Sequence, residues 1–248
     1  MDPRWCRGAL VAISCFAGLT AGAGVMAERT RVVFIQGQRE ASLTLVNLNA
    51  YPVITQVWVD DGRLDGEPVT ALAPFMPLPP VFRLEPHQQR SLRLLSTGQP
   101  QPEDRESLYW LNIYEIPPRP SAPQQAADAL LLTVTMRTQM KLFYRPRGLQ
   151  PSAEEAARHL AFTLEKSRLR LDNPTPYHIT LTGLVLQVDA QQLSLQAMLL
   201  RPFSVQTQKL DQPLPEGQPA SLEFEWIDDD GARHQSRADL KPPPGSLE

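Results

Sequence analysis

Hydrophobic and polar residues alternate along most of the first half of the chain. In Ala41 to Asn47, Leu43 and Leu45 fall on one side, and Ser42 and Thr44 fall on the other. From Gln89 to Leu95, Leu92 and Leu94 oppose Ser91 and Arg93 in the same way. Successive side chains of a strand point to opposite faces, so a period of two predicts strands at both places. Thr30 to Ile35, Ile54 to Asp60, Val81 to Leu84, Leu108 to Tyr114 and Leu130 to Tyr144 complete the first set. Weaker segments follow at 161–164, 168–171, 177–186, 193–200, 206–210 and 221–227. Turn residues such as Asp60-Asp61-Gly62 and Asn173-Pro174-Thr175-Pro176 lie between them. Short strands at this spacing predict an all-β sandwich or barrel architecture.

Proline punctuates the pattern. With 25 Pro against 13 Gly, the chain favours short segments broken by turns over long helices. Proline cannot donate to a strand ladder, so the stretches Pro74 to Pro80 and Pro117 to Gln125 read as loops. Arg145-Pro146-Arg147-Gly148 marks a boundary between two halves, and the polar stretch Gln150 to Arg158 behind it allows one helical turn. The expected domains are 28–146 and 147–241, followed by a disordered tail at 242–248 that contains Pro242-Pro243-Pro244-Gly245.

The N-terminus adds a location. Arg4 and Arg7 precede a small, apolar stretch from Gly8 to Ala23, and Val25-Met26-Ala27 offers small residues for a signal peptidase. Residues 1–27 therefore read as a secretory signal cleaved after Ala27, with a transmembrane anchor as the alternative. Both cysteines, Cys6 and Cys15, lie within that signal. The mature protein would thus hold no disulfide and would be stable by core burial alone.

Catalytic patterns are not legible. His87, His159, His178 and His234 are scattered, with no metal-ligand spacing between them and no cysteine to join them. There is no glycine-rich phosphate loop and no nucleophile elbow. Asp228-Asp229-Asp230-Gly231 echoes a calcium loop but lacks its later ligands, and reads as a solvated turn. The net charge of -3 gives no reason to expect nucleic acid. Neither a metal nor a cofactor is expected, and no enzyme activity is expected.

The segment Ala129 to Lys141 is the most informative. Leu130, Leu132, Val134 and Met136 share one face, and Leu131, Thr133, Thr135 and Arg137 share the other. In a central strand the apolar row would be core. On a sheet edge it would be an interaction surface, because long apolar edges pair with other chains and are otherwise avoided.

Four motifs in order settle on a resemblance. Arg29 to Phe34, Asp104 to Pro118, Lys141 to Pro146 and Leu171 to Tyr177 resemble the periplasmic pilus (fimbrial) assembly chaperones of the PapD-like, chaperone–usher type. The resemblance covers nearly all of the mature length. It implies two immunoglobulin-like β-sandwich domains set at an angle, with a cleft between them. Arg31 and Lys141 would hold the C-terminal carboxylate of a pilin subunit in that cleft. Leu130, Leu132, Val134 and Met136 would be the donor strand that completes the subunit's fold. Glu106, Arg145 and Asp229 would form an interdomain ion cluster, with Asp228 or Asp230 as alternatives to Asp229.

The implied function is a periplasmic chaperone that binds and caps pilin subunits one to one and delivers them to an outer-membrane usher. Self-association of the free protein is expected from the apolar row. Gln101 departs from the signature, which wants an apolar residue there. The Pro117 to Asp128 loop is closer to the short-loop branch of the family. Two other classes remain as alternatives. One is a secreted pilin or adhesin, which would need its own N-terminal donor peptide. The other is an enzyme, which would need a convergent polar site.

Overall fold

The computed structural model describes residues 24–63, 65–119, 134–165, 167–189, 191–211 and 219–240. Two sandwiches follow one another along the chain. The first contains β1 (Val25–Ala27), β2 (Arg31–Ile35), β3 (Glu40–Asn47), β4 (Val53–Asp60), β5 (Phe75–Leu78), β6 (Val81–Leu84), β7 (Gln89–Ser96), β8 (Ser107–Ile116) and β9 (Met136–Arg145). One of its sheets runs β1-β3-β7-β5 and the other β2-β9-β8-β4-β6.

Between these sheets lie Leu43, Leu45, Leu84, Leu92, Leu94, Leu111 and Leu142, each fully enclosed. The alternation explains the packing: Leu43 stands opposite Leu92 across the β3–β7 ladder, and their polar neighbours face outward. Burying a side chain of this size stabilises the fold by about 1.5–3 kcal/mol.

The second sandwich begins after the boundary. A single helical turn, α1 (Ala153–Ala156), lies within the polar stretch that allowed one, and a short 3-10 turn, Ala157–His159, follows it. β10 (Ala161–Glu165), β11 (Arg168–Asn173) and β15 (Ser204–Lys209) form one sheet. β12 (Ile179–Val188), β13 (Gln191–Ser194), β14 (Met198–Leu200), β16 (Ala220–Ile227) and β17 (Arg233–Leu240) form the other. Its separate core includes Leu169, Leu171, Leu181, Leu186 and Leu222. The turn after β4 closes as the sequence predicts. Gly62 has φ 88°, its N–H donates to Asp60 Oδ1, and a Cβ there would run into the Trp110 ring.

Three strands depart from the sequence reading. The proline stretch read as a loop contains β5, which holds Pro77. Among the described residues β5 pairs with β7 alone, so it is an edge strand, where a missing N–H is tolerated. β17 lacks apolar alternation because among the described residues it pairs only with β16 and its residues are partly or fully exposed. β1 lies inside the segment expected to leave with the signal, yet Val25, Met26 and Ala27 register on Asn47, Val46 and Leu45. Much of the second proline stretch, and the expected tail at 242–248, lie outside the described residues.

The two sandwiches touch directly. Glu106 N–H donates to Pro176 O at 2.9 Å, and His178 N–H donates to Glu106 Oε2 at 2.8 Å. The Phe143 and His178 rings lie 5.6 Å apart between the two cores. Among the described residues no helix is long and apolar enough to cross a membrane.

Candidate functional site: a cationic cleft and an open strand edge

β2 and β9 run parallel and place Arg31 opposite Lys141, then Val32 opposite Leu142, Val33 opposite Phe143, Phe34 opposite Tyr144 and Ile35 opposite Arg145. Two cations far apart in sequence thus become immediate neighbours. Both lean across to the second sandwich. Arg31 Nη1 donates to Ile227 O at 3.0 Å, and Lys141 Nζ donates to Thr180 Oγ1 at 3.1 Å. The Lys141 ammonium also stands over the Trp110 ring, 5.9 Å from its centroid.

This pair is poorly neutralised. Arg31 is only 6% exposed, so it is not the surface charge that a strand end would suggest. Burial pushes its pKa down, against attraction from Asp229 and Asp228. Its Nε is buried without an acceptor. Burial also pushes the Lys141 ammonium down, and repulsion from Arg31 adds to the effect. Among the described residues no carboxylate pairs with Lys141. Two desolvated cations side by side favour an arriving anion, which would take charge-assisted hydrogen bonds from both.

Upstream of Lys141 the strand changes its surroundings. β8 pairs with β9 from Ser107 opposite Tyr144 to Glu115 opposite Met136. β2 covers only Lys141 to Arg145 on the other side. Among the described residues, Met136 to Met140 therefore has an unpaired edge. Alternation carries the inward row from Leu142 and Met140, both in the core, to Met136. At Met136 the row has run past the sandwich, and this side chain is 48% exposed, as Val134 is 62% exposed. Leu130 and Leu132 lie outside the described residues. On the opposite face Arg137 packs over Trp58, 4.9 Å from its centroid, and its Nε donates to Asn112 Oδ1 at 3.0 Å.

Glu106, Arg145 and Asp229 meet at the domain junction. Arg145 Nε donates to Glu106 Oε1 at 2.7 Å, and its Nη1 and Nη2 grip Asp229 Oδ2 and Oδ1 at 2.5 and 2.7 Å. Burial opposes the Arg145 charge, but hydrogen bonds and attraction from Asp229 and Glu106 outweigh it and raise its pKa further. Asp228 is occupied elsewhere: its carboxylate accepts from Asp230 N, Ala232 N and the His234 ring. Arg31, Glu106, Arg145 and Asp229 also help line an interdomain cavity of about 330 Å³.

The sequence reading did not single out Thr180, Ile227 or Trp110, which position the two cations. Thr180 and the Ile227 carbonyl carry no local signal, because their role exists only once the domains meet. Glu115 did carry one. It occupies an inward position of β8, in step with Leu111 and Ile113, where a charge is unusual.

The fold and the site together define a class: a two-domain immunoglobulin-like protein that presents a cationic cleft beside an unpaired strand edge. Comparison with known proteins agrees. Residues 24–150 match the pili and flagellar-assembly chaperone model of the PapD N-terminal domain, and residues 155–238 match the PapD C-terminal domain of pili assembly chaperones. The chain is 31% identical over 238 residues to the probable fimbrial chaperone YadV of Escherichia coli K12, covering 94% of this chain and 96% of that one.

Among solved structures, the CupB2 chaperone of Pseudomonas aeruginosa is 34% identical, with a TM-score of 0.71 over 87% of this chain and all of the other (100%). The SafB chaperone of Salmonella enterica, solved in complex with SafA pilin, is 29% identical, with a TM-score of 0.72 over 89% of this chain and 98% of that one. The chain belongs to the PapD-like family of pilus-assembly chaperones, whose members are not enzymes.

Proposed function

We propose that this chaperone works in the periplasm by donor-strand complementation and passes its subunits to an outer-membrane usher. The observation that carries the reading is the juxtaposition of Arg31 and Lys141 at the point where the β9 edge becomes unpaired. The C-terminal carboxylate of a pilin subunit is held by the two cations, and this fixes register. The subunit's edge then pairs with β9 upstream of Lys141, and Met136, Val134, Leu132 and Leu130 enter its groove. A slip of one residue would turn every donated side chain to the wrong face. Strand addition supplies main-chain hydrogen bonds and covers apolar surface, and chaperone–pilin complexes are themselves a known instance of it. The half-exposed Met136 and exposed Val134 support this part of the reading.

Glu106, Arg145 and Asp229 then act as an angle-setting clamp that keeps the cleft in shape. Buried ion pairs are often near neutral in net energy, so geometry is the better reason for such a cluster. In the free protein the same apolar row is open to a second copy, and sedimentation should reveal a concentration-dependent dimer.

The test is co-expression with a candidate pilin subunit. A smaller partner should co-purify from the periplasm at one to one, and recovery of the chain alone would sink the reading. Met136→Asp should abolish that complex, because the new carboxylate would enter an apolar groove without a partner. Its circular dichroism should match that of the parent, since residue 136 is half-exposed in the free chain.

A further inference from the structure

The start of the described chain is built into the first sandwich. Gly24 N donates to Asn49 Oδ1 at 3.0 Å, and Gly24 O accepts from Leu48 N at 2.9 Å. Val25 N donates to Glu115 Oε2 at 2.8 Å, and the Val25 side chain, 7% exposed, belongs to the core. Cleavage after Ala27 would remove this edge strand, open the core at Val25 and take a hydrogen-bond donor from Glu115. The family match also begins at residue 24.

Glu115 poses a second question. It is 6% exposed and accepts from Val25 N and from Asn49 Nδ2, the latter at 2.7 Å. No Lys, Arg or His among the described residues pairs with it. Buried carboxylates normally have a cationic partner, because an unpaired buried charge is costly. The chain at Gly24 and Val25 runs against this carboxylate, with Val25 N donating to it. A Cβ on Gly24 would stand 3.4 Å from Glu115 Oε2 and 3.7 Å from Met136 Cε. Proteolysis just before Gly24 would create a cation at this spot.

We propose that the signal is cleaved after Ala23 and that the new α-ammonium of Gly24 docks between the Glu115 carboxylate and Asn49 Oδ1. Ala21-Gly22-Ala23 has small residues at the two positions a signal peptidase reads, as Val25-Met26-Ala27 does. The local sequence does not separate the two sites, but the fold does: only the first leaves β1 in its sheet. Signal removal thus completes a charge pair beside Met136, at the root of the strand assigned to the subunit. A chain with its signal still attached has a neutral amide there and leaves Glu115 unpaired. This inference rests on the reading of the N-terminus as an export signal.

N-terminal sequencing and intact mass of periplasmic protein test the site. The expected start is Gly24-Val25-Met26. A start at Glu28 would overturn the cleavage site while leaving export intact, and a chain retaining Met1 would overturn the export reading beneath it. Crossed variants sharpen the result. Ala23→Leu should accumulate precursor and Ala27→Leu should be processed normally; the reverse pattern overturns the proposal. For the charge pair, Glu115→Gln is compared in the mature chain and in a chain with one alanine ahead of Gly24. The substitution should lower the Tm further in the mature chain, where it removes an ion pair. Equal losses in the two chains would overturn the pair.

Discussion

Lys141→Ala is expected to abolish pilin capture while leaving the free chaperone folded. Removing one partner of a partly buried charge pair costs about 2–5 kcal/mol, or roughly thirtyfold to several thousandfold in Kd. The free protein should tolerate the change, because Lys141 is poorly placed there: burial and then Arg31 both push its pKa down. The sign follows. A lowered folded pKa means that the unfolded chain binds the proton more tightly, so this group lowers stability at neutral pH. The penalty is relieved as pH rises through the folded pKa.

Lys141→Met, which keeps most of the stem over Trp110, should therefore show a neutral-pH Tm equal to or above that of the parent. The difference should shrink in alkali. Subunit binding should weaken over the same alkaline range as the ammonium is lost. Pull-down of the cognate pilin and thermal scans across pH read both effects. Normal capture by Lys141→Ala would remove the carboxylate anchor. An unfolded variant would make Lys141 a structural residue instead.

Arg145→Ala should cost about 3 kcal/mol, because it leaves Glu106 buried without its cation. The Glu106 side chain is 1% exposed, whereas that of Asp229 is 45% exposed. Asp229→Ala should accordingly cost far less, about 1 kcal/mol or below, since water can replace a half-exposed partner. Calorimetry of the three proteins gives the comparison. Equal losses for the two variants would mean that Arg145 acts through Asp229 alone. If Arg145→Ala melts like the parent, the cluster contributes geometry without stability, and subunit binding should then be the property that falls.

The local pattern was enough for most strands. Period-two alternation is a property of a few adjacent residues, so Leu43, Leu45, Leu92 and Leu94 announced their strands before any partner was known. Proline hid β5, because its missing N–H forbids a central position but not the edge that β5 occupies. β17 and β1 were missed for different reasons. The first is an edge with little to bury, and the second is three residues long and sits against a stretch whose composition reads as a signal and masks it.

Site residues divided along the same line. Arg31, Lys141, Glu106, Arg145 and Asp229 were legible as motif members, and the apolar face of the segment proposed as the donor strand was legible as a row. Their roles depended on distances that no local pattern contains. Parallel pairing of β2 with β9 puts Arg31 beside Lys141, and because β2 starts at Arg31, one edge of Met136 to Met140 has no partner strand among the described residues.

The choice of Asp229 over its neighbours required the geometry of one turn, in which Asp228 folds back on Ala232 and His234. Pairing with Thr180 and the Ile227 carbonyl required the second sandwich to be in place. The sequence by itself determined the all-β class, the two-domain division and the family. Alternation and short motifs are local, and local order is what a one-dimensional pattern can carry. Tertiary structure alone decided which cations share a cleft, where the open edge of β9 begins and which carboxylate is buried, because each depends on contacts between residues distant in the chain.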